Sequence, residues 1–389
     1  MKTDIETLAT LAQKPTKVVL GLMSGTSLDG LDLALCKISG NGVQTQLELL
    51  QFHTHNYSEQ QRHTLSQFSS VEQVNLASLC QLNAWLGQLY SDIVLQTLKL
   101  WQIKPEAIDL IASHGQTIYH HPRAEFVSDT KMNSTLQLGD GDLIASNTGI
   151  ITLSDFRQKH IAKGLEGAPL VHYGDFLLYQ SKDIDRVLLN LGGIANCTFL
   201  HKGGDLADSL SSDLGPGNSL IDKYCLQYFD VAYDEGGKLA AQGTINPALL
   251  QQLQAQPFFT QPLPKSTGPE LFNLDFIAQN LTKVATPISH LDVLATLTEL
   301  TARETAKAIT QQCDSATELY ITGGGLHNQY LMQRLEVNLP SNIEICEFNR
   351  IAFDPDAKEA ALFALLANET LSGDEQGLPF SMGKLSLPR

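Results

Sequence analysis

The chain of 389 residues carries 26 basic and 42 acidic side chains, a formal net charge of −16, and 43 % of its residues are hydrophobic. This composition predicts a soluble globular protein of two domains, because one hydrophobic core rarely serves a chain of this length. The acidic balance excludes nucleic acid and anionic membranes as expected partners, since phosphate contacts require clustered Lys and Arg, and no apolar run approaches the ~20 residues that span a bilayer.

The N-terminus and the cysteines predict the compartment. Residues 1–16 are polar and carry both charge signs, unlike a secretory leader. The six cysteines are scattered and form no CxxC pair. A cytoplasmic protein with reduced cysteines is therefore expected.

The first distinctive element is a predicted hairpin over residues 21–36. Leu31, Leu33 and Leu35 alternate with Asp32 and Ala34 after the turn, which is the periodicity of a strand. Glycines let the backbone of such a turn approach an anion closely. The segment therefore predicts a phosphate-binding loop, although an ordinary hairpin turn has the same pattern. Its candidate residues are Gly25, Thr26, Ser27, Leu28, Asp29, Gly30, Leu31 and Asp32.

The rest of the first half predicts a third strand at residues 46–55 and a long helix at 71–101, where leucines recur at helical spacing. A strand at 108–112 follows and ends in Ser-His-Gly-Gln-Thr. Residues 136–155 are typical of strand, short helix and strand. The glycine-rich passage 164–167 marks the expected domain boundary.

The second half begins with the same plan: a strand at 186–191, a turn at Gly192 and Gly193, and a return at 197–201. Asp213 is expected to end a short extended piece, and Asn218 to cap a helix. Helices are predicted to begin at 246 and to span about 275–284 and 289–313. A strand at 318–322 leads into Gly323, Gly324 and Gly325, followed by a helix from 328, a strand at 343–348 and a helix at 355–368. Strands mixed with long helices indicate an α/β protein, and each half can present backbone amides to phosphate.

Nine short runs of the sequence occur in the order found in anhydro-N-acetylmuramic acid kinases, which the chain resembles from about residue 18 to 366. These runs are GLMSGTSLDGLD, SHGQTIYH, SDFR, GAPLV, LNLGGIAN, DLGPGNSLID, PKSTG, FNL and ITGGGLHN. The resemblance implies an α/β fold of two lobes, each with a ribonuclease-H-like mixed sheet flanked by helices, and ATP in the interlobe cleft. Residues 1–160 would form the N-terminal lobe, joined by 371–389, and residues 161–370 the C-terminal lobe.

The resemblance also implies a reaction from bacterial murein recycling. ATP phosphorylates O6 of 1,6-anhydro-N-acetylmuramic acid while water opens the anhydro ring at C1. The family places the base that activates this water at Asp213. A role for that carboxylate as a cap of the following helix is the alternative, and the nearby helix dipole is expected to lower its pKa.

Several ligand contacts follow from the same resemblance. The two glycine turns would bind phosphates, and Gly323, Gly324 and Gly325 the adenosine. Mg²⁺ would be held mainly through water and phosphate, with Asp29 or Asp32 as a direct ligand or a turn cap. Sugar contacts are expected from His114, Gln116, Asp155, Arg157 and Glu359, although Asp155 and Arg157 could instead form a structural pair and Glu359 could face solvent.

Other residues qualify these assignments. Asp222 could be linked to the metal or merely solvated, and His120 and His121 lack a third ligand at sensible spacing. Glu166 stands where the family usually has Gln, which bears on the choice of sugar. The resemblance also implies membership of the sugar kinase, actin and heat-shock chaperone superfamily. Two alternative functions are therefore a kinase of that superfamily acting on another sugar or on polyphosphate, and a nucleotide-gated protein without catalysis. A homodimer formed through the leucine-rich helix 71–101 is a further expectation.

Overall fold

The computed structural model describes residues 2–126, 130–268, 270–347, 355–373 and 380–388. The chain divides into two compact units. The first unit consists of Met1–Leu178 and Phe353–Arg389, and the second of Tyr179–Ala352. Each unit is built on one mixed β-sheet. No helix in the described ranges is long and apolar enough to cross a membrane.

The first unit contains a seven-stranded sheet in the order β12-β6-β4-β1-β2-β3, with β5 paired to β4. β1 is antiparallel to β2 and parallel to β4, and β4 is parallel to β6. Its elements are α1 (Lys2–Gln13), β1 (Thr16–Ser24), β2 (Gly30–Ser39), β3 (Gln46–Asn56), α2 (Glu59–Ser66), α3 (Leu76–Leu100), β4 (Leu110–Phe126), β5 (Thr130–Leu138), α4 (Gly141–Thr148), β6 (Thr152–Ser154), α5 (Phe156–Ala162), α6 (Val171–Tyr179), α12 (Lys358–Ser372) and β12 (Lys384–Ser386).

Strand periodicity places different helices on the two faces of β1. Leu20 and Leu22 enter a core that includes Leu86 and Tyr90 of α3. Gly21 lies on the opposite face, because alternate residues of a strand point to opposite sides. A Cβ on Gly21 would overlap the carbonyl oxygen of Ala360, so α12 packs directly on the strand backbone.

The second unit contains a five-stranded sheet in the order β11-β10-β7-β8-β9. β7 is antiparallel to β8 and parallel to β10, and β8 is antiparallel to β9. Its elements are β7 (Asp185–Leu191), β8 (Ile194–Leu200), β9 (Leu210–Pro216), α7 (Ser219–Phe229), α8 (Pro247–Gln254), α9 (Leu274–Leu281), α10 (His290–Gln312), β10 (Thr317–Thr322), α11 (Gln329–Asn338) and β11 (Ile343–Cys346).

The two sheets repeat one topology. In each, three antiparallel strands are followed by two parallel strands on the side of the first strand. The shared order is β3-β2-β1-β4-β6 in the first unit, which also has β5 and β12, and β9-β8-β7-β10-β11 in the second. This repetition confirms the predicted α/β class with a ribonuclease-H-like mixed sheet in each half, flanked by helices.

The division of the chain differs from the predicted boundaries at 160 and 370. Residue Gly167 stays with the first unit, because His160 accepts a hydrogen bond from its N–H at 2.8 Å and Arg157 donates to its carbonyl at 2.8 Å. Helix α12 also belongs to the first unit, since Lys358 forms a 2.7 Å ion pair with Asp175 on α6.

Local differences are smaller. The long helix begins at Leu76 and not at 71, because Asn75 caps it by accepting from Ser78 N–H at 3.0 Å. β4 extends to Phe126, well beyond the expected 112. β9 continues past Asp213 to Pro216. The last residues of the strand predicted at 343–348 lie partly outside the described residues.

Candidate active site

The β1–β2 loop of the first unit presents backbone donors to solvent. Thr26, Ser27 and Asp29 are exposed, and their N–H groups have no acceptor in the described ranges. Two loop carbonyls, those of Gly25 and Asp29, accept hydrogen bonds from within the unit, and the Gly30 carbonyl lies 3.1 Å from the Ser24 hydroxyl. Free amides without competing carbonyls favour an anion such as phosphate.

Two residues predicted for this loop point elsewhere. Leu31 is fully buried in the core of the first unit, and its backbone lies in the β2–β3 ladder opposite His55. Leu28 packs against the same core. The φ of Leu28 is 58°, in the left-handed region, and this backbone conformation is energetically unfavourable for a residue with a bulky side chain. Neither side chain is therefore available to a phosphate.

Asp32 is the half-buried carboxylate beneath the loop. Thr54 donates a hydrogen bond of 2.6 Å to its Oδ1. Burial raises the pKa of Asp32, the Thr54 hydrogen bond opposes this, and the negative charges of Asp29 and Asp356 add to it. A cation would relieve this accumulation of charge.

The carboxylates suit Mg²⁺ only in a particular way. In the part of the chain that is described, no group of three or more His, Cys, Asp or Glu could hold a metal ion. Mg²⁺ commonly uses one or two carboxylates together with water and substrate phosphates. Asp29 and Asp32 fit that mode, because neither the Asp29 carboxylate nor Oδ2 of Asp32 has a hydrogen-bond donor among the described residues.

Arg157 of α5 organises the predicted sugar residues of the first unit. Its Nε donates to His114 Nε2 at 2.9 Å and its Nη1 to the Gly167 carbonyl at 2.8 Å, while Nη2 has no hydrogen-bond acceptor among the described residues. Burial and the Arg157 charge lower the pKa of His114 to about 3, so this imidazole is neutral near pH 7. Arg157 thus keeps one donor for a ligand.

Glu359, in the first turn of α12, belongs to the same charged group. Its side chain is exposed at the surface, yet desolvation by the neighbouring protein atoms raises its pKa. Attraction to Arg157 opposes this rise, and repulsion from Asp32 adds to it. Asp155 is directed elsewhere, since its Oδ2 accepts from Lys384 of β12 at 2.9 Å. The predicted alternative of an Asp155–Arg157 pair does not form.

A cavity in the first unit is lined by residues on both sides of Gly167 in the sequence, and the Gly167 carbonyl is an acceptor of Arg157. Asn133, His160, Leu165, Glu166 and Ala168 line it, and Asn133 donates to the Gly164 and Leu165 carbonyls at 3.3 and 3.0 Å. Glu166 acts electrostatically on both His120 and His160. The departure from the expected Gln therefore places a carboxylate beside a cavity near the predicted sugar residues.

The β7–β8 turn of the second unit is held by the start of α7. Asn218 and Ser219 donate their backbone N–H groups to the carbonyls of Gly192 and Gly193 at 2.8 and 3.1 Å. Asn218 does not cap the helix as predicted, because its side chain donates to the Leu191 carbonyl at 2.9 Å instead. The turn carbonyls are thus occupied, as they are in the β1–β2 loop.

The glycines of this turn are not required by packing. A Cβ on Gly193 would meet nothing closer than Ser219 Cβ at 3.7 Å, and one on Gly192 nothing closer than Asn190 Nδ2 at 3.4 Å. Neither has a positive φ. The fold alone therefore gives no reason for these two glycines, which favours a ligand that approaches the backbone.

The triple glycine after β10 separates into different cases. Gly323 has a φ of 87°, a conformation that L side chains rarely adopt. A Cβ on Gly325 would lie 2.6 Å from Leu191 Cβ, so this glycine is needed for packing. Gly324 has open space, with Asn218 Nδ2 the nearest atom at 3.7 Å. Gly324 is therefore the member best suited to contact a ligand.

Asp213 of β9 is held by a segment that is distant in sequence. Its Oδ2 accepts from Ser266 Oγ at 3.1 Å and from Thr267 N–H at 2.9 Å. Its Oδ1 has no donor among the described residues. The carboxylate is thus fixed through one oxygen and available through the other, as a general base requires.

For Asp213, both the alternative role as a helix cap and the expected direction of the pKa shift are wrong. Its side chain does not cap α7. Its pKa is not lowered by the helix but raised by burial, with the Thr267 and Ser266 hydrogen bonds opposing and Glu270 adding to the rise. Sequence reasoning did not assign Ser266 and Thr267 a role, although both lie in the PKSTG run.

Other candidates remain outside these groups. Burial raises the pKa of Asp222 on α7 to about 6, and its carboxylate has no hydrogen-bond donor in the described part of the chain. His120 and His121 are exposed on β4, and His121 lies near the Tyr119 ring. Nothing in the described ranges adds a third metal ligand to the histidine pair.

Comparison with known proteins gives one consistent result. A family model described as anhydro-N-acetylmuramic acid kinase matches residues 17–386. A protein of that name from Pseudoalteromonas translucida is 46 % identical over 398 residues, covering 99 % of both chains. A second from Caldanaerobacter subterraneus is 38 % identical over 400 residues, covering 98 % of this chain and all of that one.

Proposed function

Because the chain belongs to the anhydro-N-acetylmuramic acid kinase family, we propose that it is a phosphotransferase that uses ATP to open 1,6-anhydro-N-acetylmuramic acid and phosphorylate it at O6. The products are N-acetylmuramic acid 6-phosphate and ADP, and the setting is murein recycling in a bacterial cytoplasm. The observation that carries the proposal is the carboxylate of Asp213, which is held through Oδ2 and has no donor at Oδ1 among the described residues, in a chain that has a loop of unpaired amides and an open glycine turn.

The reaction couples two bond exchanges. Water adds to C1 as the C1–O6 bond breaks, and Oδ1 of Asp213 takes the proton of that water. O6 forms a bond to the γ-phosphorus as the bond between that phosphorus and ADP breaks. Hydrogen bonds from Ser266 and Thr267 to Oδ2 keep the base oriented.

The loops supply the electrostatic part. Free amides at Thr26, Ser27 and Asp29 would bind phosphate oxygens, and the open backbone at Gly193 would admit another phosphate. Mg²⁺, when bound with ATP, neutralises phosphate charge, and Asp29 and Asp32 would hold it directly or through water. The backbone at Gly324 would lie beside the adenosine.

Sugar recognition would use the Arg157 group. The lactyl carboxylate of the substrate requires a cation, and Nη2 of Arg157 is free to donate to it. Neutral His114 keeps Arg157 in place by accepting from Nε. Glu359 offers an acceptor for sugar hydroxyls.

The proposal is tested by ADP release with a panel of sugars in the presence of Mg²⁺. The panel contains 1,6-anhydro-N-acetylmuramic acid, 1,6-anhydro-N-acetylglucosamine, which lacks the lactyl group, and the open-ring sugar. We expect ADP release with the first at much the highest kcat/KM, and a product with the mass of the hydrated 6-phosphate. Release that is independent of sugar, or strongest with a non-anhydro sugar, would reject the assignment.

A further inference from the structure

A buried polar network lies directly beneath the β1–β2 loop. It consists of Ser24, Tyr57 and Gln116, which are 1 %, 3 % and 0 % exposed. Ser24 Oγ lies 2.7 Å from Gln116 Oε1, 3.0 Å from Tyr57 OH and 3.1 Å from the Gly30 carbonyl. Gln116 Nε2 lies 3.0 Å from the Gly25 carbonyl and 3.4 Å from that of Thr117.

Counting protons orients this network. The Nε2 group of Gln116 must face the two carbonyls, because only the amide nitrogen can donate to them. Its Oε1 therefore accepts from Ser24, which has one proton and makes its shortest contact there. Tyr57 in turn donates its hydroxyl proton to Ser24.

The network reaches both ends of the loop. Gln116 holds the Gly25 carbonyl, Ser24 lies within reach of the Gly30 carbonyl, and the backbone N–H of Tyr57 donates to the Asp29 carbonyl at 2.9 Å. With these carbonyls turned inward, the N–H groups of Thr26, Ser27 and Asp29 are left for an external acceptor.

We propose that Gln116, together with Ser24, is a positioning residue for the phosphate-binding loop, and that it serves nucleotide binding and not sugar binding. The inference rests on the proposed kinase function and replaces the predicted sugar contact of Gln116. Both ends of its amide are already engaged within the unit, and the residue has no exposed surface to offer a sugar.

Gln116→Glu provides a discriminating variant. It keeps the shape of the side chain but replaces the donor to the Gly25 carbonyl with an oxygen. When protonated, a glutamic acid can donate to that carbonyl again, whereas the ionised form repels it. Burial raises the pKa of such a carboxyl, so the donor should return as the pH falls.

The control is Gln137→Glu. Gln137 of β5 lies opposite Thr117 of β4 and is 6 % exposed. Within the described part of the chain, its amide donates only to the Thr117 and Thr135 hydroxyls and not to the loop. It tests whether a glutamate buried in this sheet disturbs nucleotide binding in general.

The experiment measures the Kd of MgATP without sugar, and of the anhydro sugar without nucleotide, by titration calorimetry at pH 8 and pH 6. The ratio of variant to parent Kd at each pH removes titrations that both proteins share. The titratable groups around the network are Tyr57, Tyr90, His114, Asp29 and Asp32. Burial raises the pKa values of both tyrosines and lowers that of His114, so these three side chains stay uncharged between pH 6 and 8.

For Gln116→Glu at pH 8 we expect the MgATP Kd to rise roughly ten-fold or more, because a buried carbonyl loses its donor. The rise should shrink at pH 6, the sugar Kd should stay unchanged, and Gln137→Glu should leave the MgATP Kd as in the parent. Ser24→Ala, which keeps the sheet intact, should raise the MgATP Kd in the same direction without the pH dependence.

A weakened sugar Kd with an unchanged MgATP Kd in Gln116→Glu would overturn the inference and restore the sugar contact. An equal loss of MgATP affinity in Gln137→Glu would also overturn it. Failure of the proposed function looks different, since the parent protein itself would then not bind MgATP or the anhydro sugar.

Discussion

Asp213→Asn is the substitution that most sharply separates binding from chemistry. Asparagine has nearly the same shape, and its carbonyl oxygen can accept the Ser266 and Thr267 hydrogen bonds that now reach Oδ2. The amide nitrogen would then occupy the place of Oδ1, where it cannot take a proton from water. The segment around residues 266–267 should therefore stay in place while the base is lost.

The expected loss follows from the role of the base. General base catalysis contributes about 10²–10⁴-fold, or about 3–5 kcal/mol of activation free energy. Sugar-dependent ADP release should give a kcat lower by that factor, while calorimetry should give a MgATP Kd within about two-fold of the parent. Turnover within ten-fold of the parent would refute the assignment of Asp213 as the base.

The pH profile adds a second readout. Asp213 accepts a proton only when ionised, and burial raises its pKa. The kcat/KM of the parent should therefore fall as the pH drops through that raised pKa, at a higher pH than for an ordinary carboxyl. Asp222→Asn is the control, because the pKa of Asp222 is raised to about 6 and could produce a similar fall. An acidic limb that disappears in Asp222→Asn would contradict the assignment to Asp213.

Three further outcomes follow from the geometry. Gly193→Ala should leave the thermal unfolding midpoint unchanged but raise the KM for ATP. Gly217→Ala should lower the midpoint, because its Cβ would overlap the Gly192 carbonyl, and equal midpoints of the two variants would contradict the packing argument. Arg157→Gln should raise the KM for the lactyl-bearing anhydro sugar by roughly ten-fold or more and leave the KM for the neutral anhydro sugar unchanged. An equal rise in KM for both sugars would contradict the proposed contact between Arg157 and the lactyl carboxylate. Glu299→Ala should destabilise the second unit by about 1.5–3 kcal/mol in urea unfolding, because the fully buried Glu299 accepts charged hydrogen bonds from Arg303 and Arg334, which themselves stay in contact with solvent. A loss below about 1 kcal/mol would contradict this.

The sequence was informative wherever structure depends on neighbouring residues. Both hairpins could be predicted from alternation and turn chemistry, and their strands occur at Thr16–Ser24 with Gly30–Ser39 and at Asp185–Leu191 with Ile194–Leu200. Helix starts with a local cap were also predictable, as at Asn246 and Ser289. The helix Lys2–Gln13 was missed because its buried residues, Asp4 and Leu11, form no apolar stripe.

What escaped prediction depends on contacts between distant residues. The extent of the first unit depends on the hydrogen bonds of Arg157 and His160 to Gly167 and on the Lys358–Asp175 ion pair. The spacing of residue types along the sequence does not reveal such contacts. Asn218 has the sequence context of a helix cap, but its side chain donates a hydrogen bond to the carbonyl of Leu191, 27 residues away in the sequence.

The site residues show the same limit. The run containing Asp213 marked a reactive carboxylate, whereas its orientation comes from donors about 53 residues further along the chain. Burial then reversed the expected direction of its pKa shift. Similarly, only the fold shows that both ends of the Gln116 amide are engaged beneath the loop.

The most direct measurement is the fate of oxygen from water. The protein is incubated with ATP, Mg²⁺ and 1,6-anhydro-N-acetylmuramic acid in H₂¹⁸O, and the products are examined by mass spectrometry. If Asp213 activates water toward C1, one ¹⁸O should enter the sugar of the 6-phosphate product and none its phosphoryl group. Label in phosphate, or a phosphorylated sugar with its anhydro ring intact, would contradict the coupled opening and transfer.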